Sequence, residues 1–101
     1  MRYALLRCIA TSTIYGRRGM DLADTVFVKG QEYDVCYDDK TEGFFTINEV
    51  DEYHAIGKEK SGYFRNHFEL VKFYTVGDLK QNEVKYQNLK RIARSKKHYQ
   101  L

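Results

Sequence analysis

The stretch from Val26 to Asp39, VFVKGQEYDVCYDD, decides how this chain folds. Between Glu32 and Asp38 the residues alternate. Tyr33, Val35 and Tyr37 fall on one side, while Glu32, Asp34, Cys36 and Asp38 fall on the other, the period-two pattern of a strand with one face on a core. Gly30 separates this strand from the extended run before it, where tolerance of positive φ suits a bend or a bulge. We read the stretch as the corner of a small β scaffold whose rings, Tyr33, Tyr37 and Phe45 among them, converge inside one closed sheet.

Upstream, Tyr3 to Ala10 is apolar enough for a strand buried on much of both faces. Thr11 to Asp24, TSTIYGRRGMDLAD, lacks a steady period and reads as a long loop. Thr25 to Lys29 resumes extended character. Downstream, Asp38 to Gly43 is a turn, Phe44 to Asn48 returns with Phe45 and Ile47 on one face, and Tyr53 to Ile56 is a short strand ending at Gly57. Lys58 to Phe68 spaces Phe64 and Phe68 as neighbours on a helical turn, and Glu69 to Tyr74 is a last strand. Five to six short strands in residues 1–75 suggest a small barrel.

The final segment changes period. Thr75 and Asp78 make a capping-box variant, and Val76, Leu79, Tyr86, Leu89 and Ala93 then form a narrow apolar stripe. This predicts one helix from Val76 to Lys96, so residues 76–101 form a C-terminal basic helix appended to a β domain of residues 1–75. Its stripe suits packing on the barrel, pairing with a second copy, or docking in a partner's groove. The fold class expected is mainly β with a C-terminal helix.

Composition bounds the function. The 101 residues fit one domain, 31% of them are charged, and no apolar run approaches the roughly 20 residues of a spanning helix. No membrane association is expected. Arg2 and Arg7 interrupt the first ten residues, unlike a secretory leader, which points to a cytoplasmic protein. Cys8 and Cys36 are too few for a disulfide framework and too distant for a C-x-x-C pair, so both read as small buried hydrophobes. Residues 1–75 carry ten Lys or Arg against twelve Asp or Glu, whereas residues 76–101 carry seven against two. An anionic partner would meet the tail.

Arg7-Cys8-Ile9, then Val28 to Val35, then Phe44 to Ile47, then His67 to Val71 occur in an order that resembles short phage and prophage proteins with an R/K-C-I … K-G-x-x-Y-x-V … F-x-x-V pattern. Those proteins resemble SH3-like β-barrels, and the likeness covers Arg7 to Val71. It implies an SH3-like barrel and a virus-encoded accessory protein, with no named reaction. The loop Thr11 to Asp24 and the helix after Val71 depart from the pattern and are where function is expected.

No catalytic constellation is visible. His54, His67 and His98 lack metal-ligand spacing, and no G-x-S-x-G or phosphate loop occurs. Cys36 with His54 or His67 would need a third group to act as a nucleophile and base. Asp38-Asp39 and Asp51-Glu52 fall in turns, where carboxylates serve the backbone. We therefore expect a non-enzyme without metal or cofactor. Protein binding is the favoured class, through Tyr15, Arg17, Arg18 and Met20, a cluster rich in the residue types that dominate interfaces. The partner expected is a host protein, inhibited or redirected in a takeover or anti-defence role; a homodimer is compatible with the helix. The alternative is nucleic-acid binding through Lys85, Lys90, Arg91, Arg94, Lys96 and Lys97.

Overall fold

The computed structural model describes residues 1–15 and 23–99. Among them the elements are β1 (Arg2–Cys8), β2 (Ser12–Tyr15), β3 (Ala23–Phe27), β4 (Glu32–Asp38), β5 (Gly43–Ile47), β6 (Tyr53–Lys58), α1 (Gly62–His67), β7 (Phe68–Phe73), α2 (Val76–Gln81) and α3 (Glu83–Tyr99). Five strands form one antiparallel sheet in the order β6-β5-β4-β1-β7, and β2 pairs with β3 apart from it. The molecule is a small α+β domain, mainly β with a C-terminal helix. β4 occupies the span its alternation predicts, and Gly30 before it has φ of 89°, in the region that favours glycine.

The hydrogen-bonded ladder begins at β6 and ends at β7 without pairing these two strands. Helix α1 lies between them in sequence and touches both. Its Ser61 cap accepts from the Phe64 amide at 3.3 Å, and Phe64 delivers a ring 5.2 Å from Phe44 and 6.1 Å from Phe68. Side chains rather than strand pairing therefore span the gap.

The segment read as a long loop is partly a hairpin. Ser12 to Tyr15 pairs with Ala23 to Phe27, with a register shift at Ser12/Thr13. Thr13, Ile14 and Tyr15 carry β preference that the adjacent glycine and arginine pair concealed. Val26 and Phe27 from this hairpin are fully buried.

The sheet is covered on both faces. One face holds Ala4, Leu6, Cys8, Val35, Phe44, Ile56, Phe64 and Phe68, with Tyr33, Tyr37 and Phe73 around them. The other holds Cys36 and Phe45 against Leu79, Leu89 and Ile92 of the C-terminal helices. The register places Phe45 opposite Cys36 and Phe44 opposite Tyr37. Directly opposed residues share a face, so Phe45 lies on the helix side and does not converge with Tyr33 and Tyr37, a correction to the single interior expected.

The segment expected as one helix is two. Thr75 Oγ1 accepts from the Asp78 amide and Asp78 returns the bond to Thr75, the capping box read from the residues. The break comes at Asn82, whose Oδ1 accepts from the Lys85 amide at 3.1 Å and so starts α3 afresh. Ile92 belongs to the buried stripe and Val76, 68% exposed, does not.

Charge joins helix to sheet. Lys96 is hydrogen-bonded to Asp38, and its side chain is only 13% exposed. At the other end Tyr74 donates to Asp34, and Lys85 Nζ reaches the Tyr74 hydroxyl at 3.1 Å. Between these bonds Leu89 is fully buried. Leu89→Ala is expected to cost about 2–5 kcal/mol in urea unfolding, the range for large-to-small changes in a core. Gly30→Ala is expected to cost about 1–2 kcal/mol. An added Cβ there meets nothing within 4 Å, so that loss would report backbone strain alone.

Candidate functional site

Where the ladder is unpaired, two hollows follow the outer edge of β7. The first, about 790 Å³, is lined by Ile9, Phe64, Phe68 and Leu70 with Glu59, Lys60, Arg65 and Glu69. The second, about 440 Å³, is lined by Tyr37, Phe44 and Phe73 with Arg2, Glu42, Lys58, Glu59 and Lys60. Glu59 and Lys60 border both, making one groove with a floor of rings and charged walls. The floor is packed ring on ring: Tyr37 meets Phe44 at 4.9 Å and Phe73 at 5.4 Å, and Arg2 lies over Tyr37 and Phe73. Ring pairs at these separations attract one another beyond the area they bury.

The wall charges divide into engaged and free groups. Arg2 pairs with Asp39, and Glu69 pairs with Arg7. Lys58, Lys60, Arg65, Glu42 and Glu59 have no ion-pair partner among the described residues. Local spacing places Lys58 to Phe68 on a short helix or 3₁₀ turn feeding the core and does not reveal the groove, because only the return of β7 beside β1 sets the free strand edge against Lys58 and Lys60. The dense charge of KEK before the ring pair Tyr63-Phe64 was the available signal.

The residues singled out from sequence are dispersed. Arg17, Arg18 and Met20 lie outside the described residues, as do the side chains of Tyr15 and Lys97. Lys85 and Lys96 turn inward onto Tyr74, Asp34 and Asp38, which leaves Arg91 and Arg94 exposed and Lys90 half-buried. Lys90 rests over the Tyr86 ring at 4.1 Å, and Arg91 lies 3.8 Å from the exposed Asp51.

Cys36 and the histidines occupy opposite sides of the sheet. The Cys36 thiol points at the Leu89 carbonyl, 3.5 Å away under α3, and burial pushes it up to about 12. His54 and His67 instead stack on Tyr63 at 5.6 and 4.5 Å, and the Tyr63 hydroxyl lies 2.8 Å from Ser12 Oγ. Asn48 Nδ2 donates to His54 Nδ1 at 3.3 Å, and His67 Nδ1 donates to the Tyr63 carbonyl at 2.9 Å. These bonds tie β6, α1 and the β2–β3 hairpin together. No group of three or more His, Cys, Asp or Glu is arranged to hold a metal among the described residues, and no described helix is long and apolar enough to cross a membrane.

Comparison with protein-family models, with curated proteins and with solved structures returns no match for this chain.

Burial lowers the pKa of His54. The unfolded chain then binds more protons than the folded one below the ordinary histidine value of about 6.5, so stability falls as pH drops through that window. Urea midpoints measured between pH 7.5 and 5 are expected to decline, and His54→Gln is expected to flatten the decline. Both thiols are buried, and burial raises Cys8 as well as Cys36. Alkylation followed by mass spectrometry is expected to leave both unmodified in the native protein and to modify both in denaturant.

Proposed function

We propose that this protein is a non-enzymatic binding module that engages a partner protein through the ring-floored groove along β7. The single observation supporting the reading is an apolar floor of packed rings flanked by charged groups not committed to internal pairs among the described residues. Interfaces gain most where aromatic anchors are fixed before binding and a polar rim surrounds them. The mechanism is occupancy: the partner surface held in the groove is withdrawn from its own ligand. The resemblance of Arg7 to Val71 to phage-encoded proteins supports a host protein in the host cytoplasm as the target, and inhibition in takeover or counter-defence as the outcome. The SH3-like resemblance supports the same class, because such scaffolds present strand edges and loops to partners.

Nucleic-acid binding by the C-terminal helix is the weaker reading. Two of its candidate cations, Lys85 and Lys96, are already engaged with groups of the sheet. Fewer free cations mean fewer displaced counterions and a shallow dependence of affinity on salt.

Capture from nuclease-treated host lysate tests the reading. One stoichiometric protein is expected to co-purify. Lys58→Glu, Lys60→Glu and Arg65→Glu together are expected to abolish its capture, while Lys90→Ala, Arg91→Ala and Arg94→Ala together are expected to spare it. The reverse pattern, or binding that nuclease removes, would transfer the function to α3.

A further inference from the structure

We propose that the free edge of β7 accepts an extended acidic segment of the partner protein as an added strand; this rests on the groove-binding reading above and specifies its ligand. β7 is the terminal strand of the sheet, so one side of its backbone faces β1 and the other has no strand beside it among the described residues. No backbone hydrogen bond from Glu69 to Phe73 to any element but β1 occurs among the described residues. An exposed row of N–H and C=O groups is a template for another extended chain. Over its six residues the edge is about 20 Å long.

The groove decides what kind of chain fits. Leu5 pairs with Lys72 and Leu6 with Leu70, which leaves Val71 as the extra residue of a bulge. Bulges bend an edge and discourage indiscriminate pairing. Here the bend separates the two hollows, with Phe68 and Leu70 beside the first and Phe73 beside the second. A strand added to β7 turns alternate side chains toward the ring floor, so its apolar residues enter the hollows. Its other side chains meet the walls, where the uncommitted groups are Lys58, Lys60 and Arg65 against Glu42 and Glu59. The excess is positive and favours carboxylates on the incoming segment. A second copy would bring the same positive excess against itself, and a lysine-rich segment would meet repulsion.

The test is a selection of displayed random peptides of about twelve residues, twice the length of β7, against the intact chain, followed by amide exchange in the complex by NMR. Recovered peptides are expected to alternate apolar residues with Asp or Glu and to slow exchange at the amides between Glu69 and Phe73 that do not face β1. The triple charge reversal at Lys58, Lys60 and Arg65 is expected to weaken them by about tenfold or more, equivalent to about 1.4 kcal/mol. The exchange measurement uses the unaltered chain, so it decides the matter even where the triple variant folds poorly. Peptides that lose affinity on charge reversal but are rich in proline or lysine, or leave β7 exchange unchanged, would overturn strand addition and leave the groove reading in place. Peptides that map to α3 would sink both. A selection that returns no peptide, or β7 protection that rises with protein concentration together with a doubled mass, would also overturn the proposal.

Discussion

The structure depends on β4 being buried from both sides. Tyr33, Val35 and Tyr37 enter the core shared with β1, β5 and α1, while Asp34, Cys36 and Asp38 turn toward the C-terminal helices. A strand so placed needs partners for its carboxylates, because a charge withdrawn from water without one carries a large desolvation cost. Lys96 meets Asp38, and Tyr74 with Lys85 meets Asp34, so the polar groups at both ends of the contact are satisfied. The Lys96 ammonium and the Lys40 amide hold the Asp38 carboxyl below the usual carboxylate range, whereas burial and the Asp34 carboxylate push the Tyr74 hydroxyl up. Between these contacts Cys36 and Phe45 meet Leu89 and Ile92.

This arrangement changes what the charge distribution means. The chain divides into a slightly acidic body and a basic tail, a division that suggests an anionic partner for the tail. Folding turns part of the tail's charge inward, and the sheet supplies some of the anions. The helix is thereby a structural layer, and it covers the face of the sheet opposite the groove. The groove exists because the ladder is left unpaired between β6 and β7, where α1 contributes rings in place of backbone bonds. Covering one face and leaving one flank open are two consequences of the same strand order.

Residues with strong local preferences were legible. Glu32 to Asp38 alternates without interruption, Gly30 sits where positive φ is needed, and Thr75 with Asp78 forms its cap from neighbours three apart. Misreadings arose where two local signals competed. Asn82 follows Gln81 inside an apparently continuous stripe, yet its side chain caps a new helix. Ser12 to Tyr15 was obscured by the glycine and arginines after it, and its strand character is realised through pairing with β3. Phe45 faces the helices and not the Tyr33 and Tyr37 core, because alternation within a strand fixes relative faces and leaves open which face meets which layer.

By itself the sequence determined where the strands alternate, where the backbone must bend, where the last segment becomes helical, and that the thiols would be buried. These properties depend on residues within a few positions of one another and on burial preferences of single side chains. Only the tertiary structure decided that α3 lies on the Asp34, Cys36 and Asp38 face, that Cys36 is divided from His54 and His67 by the sheet, and that Lys58, Lys60 and Arg65 border a groove along β7. Those juxtapositions join residues tens of positions apart. They are set by strand order and register, which no local spacing encodes.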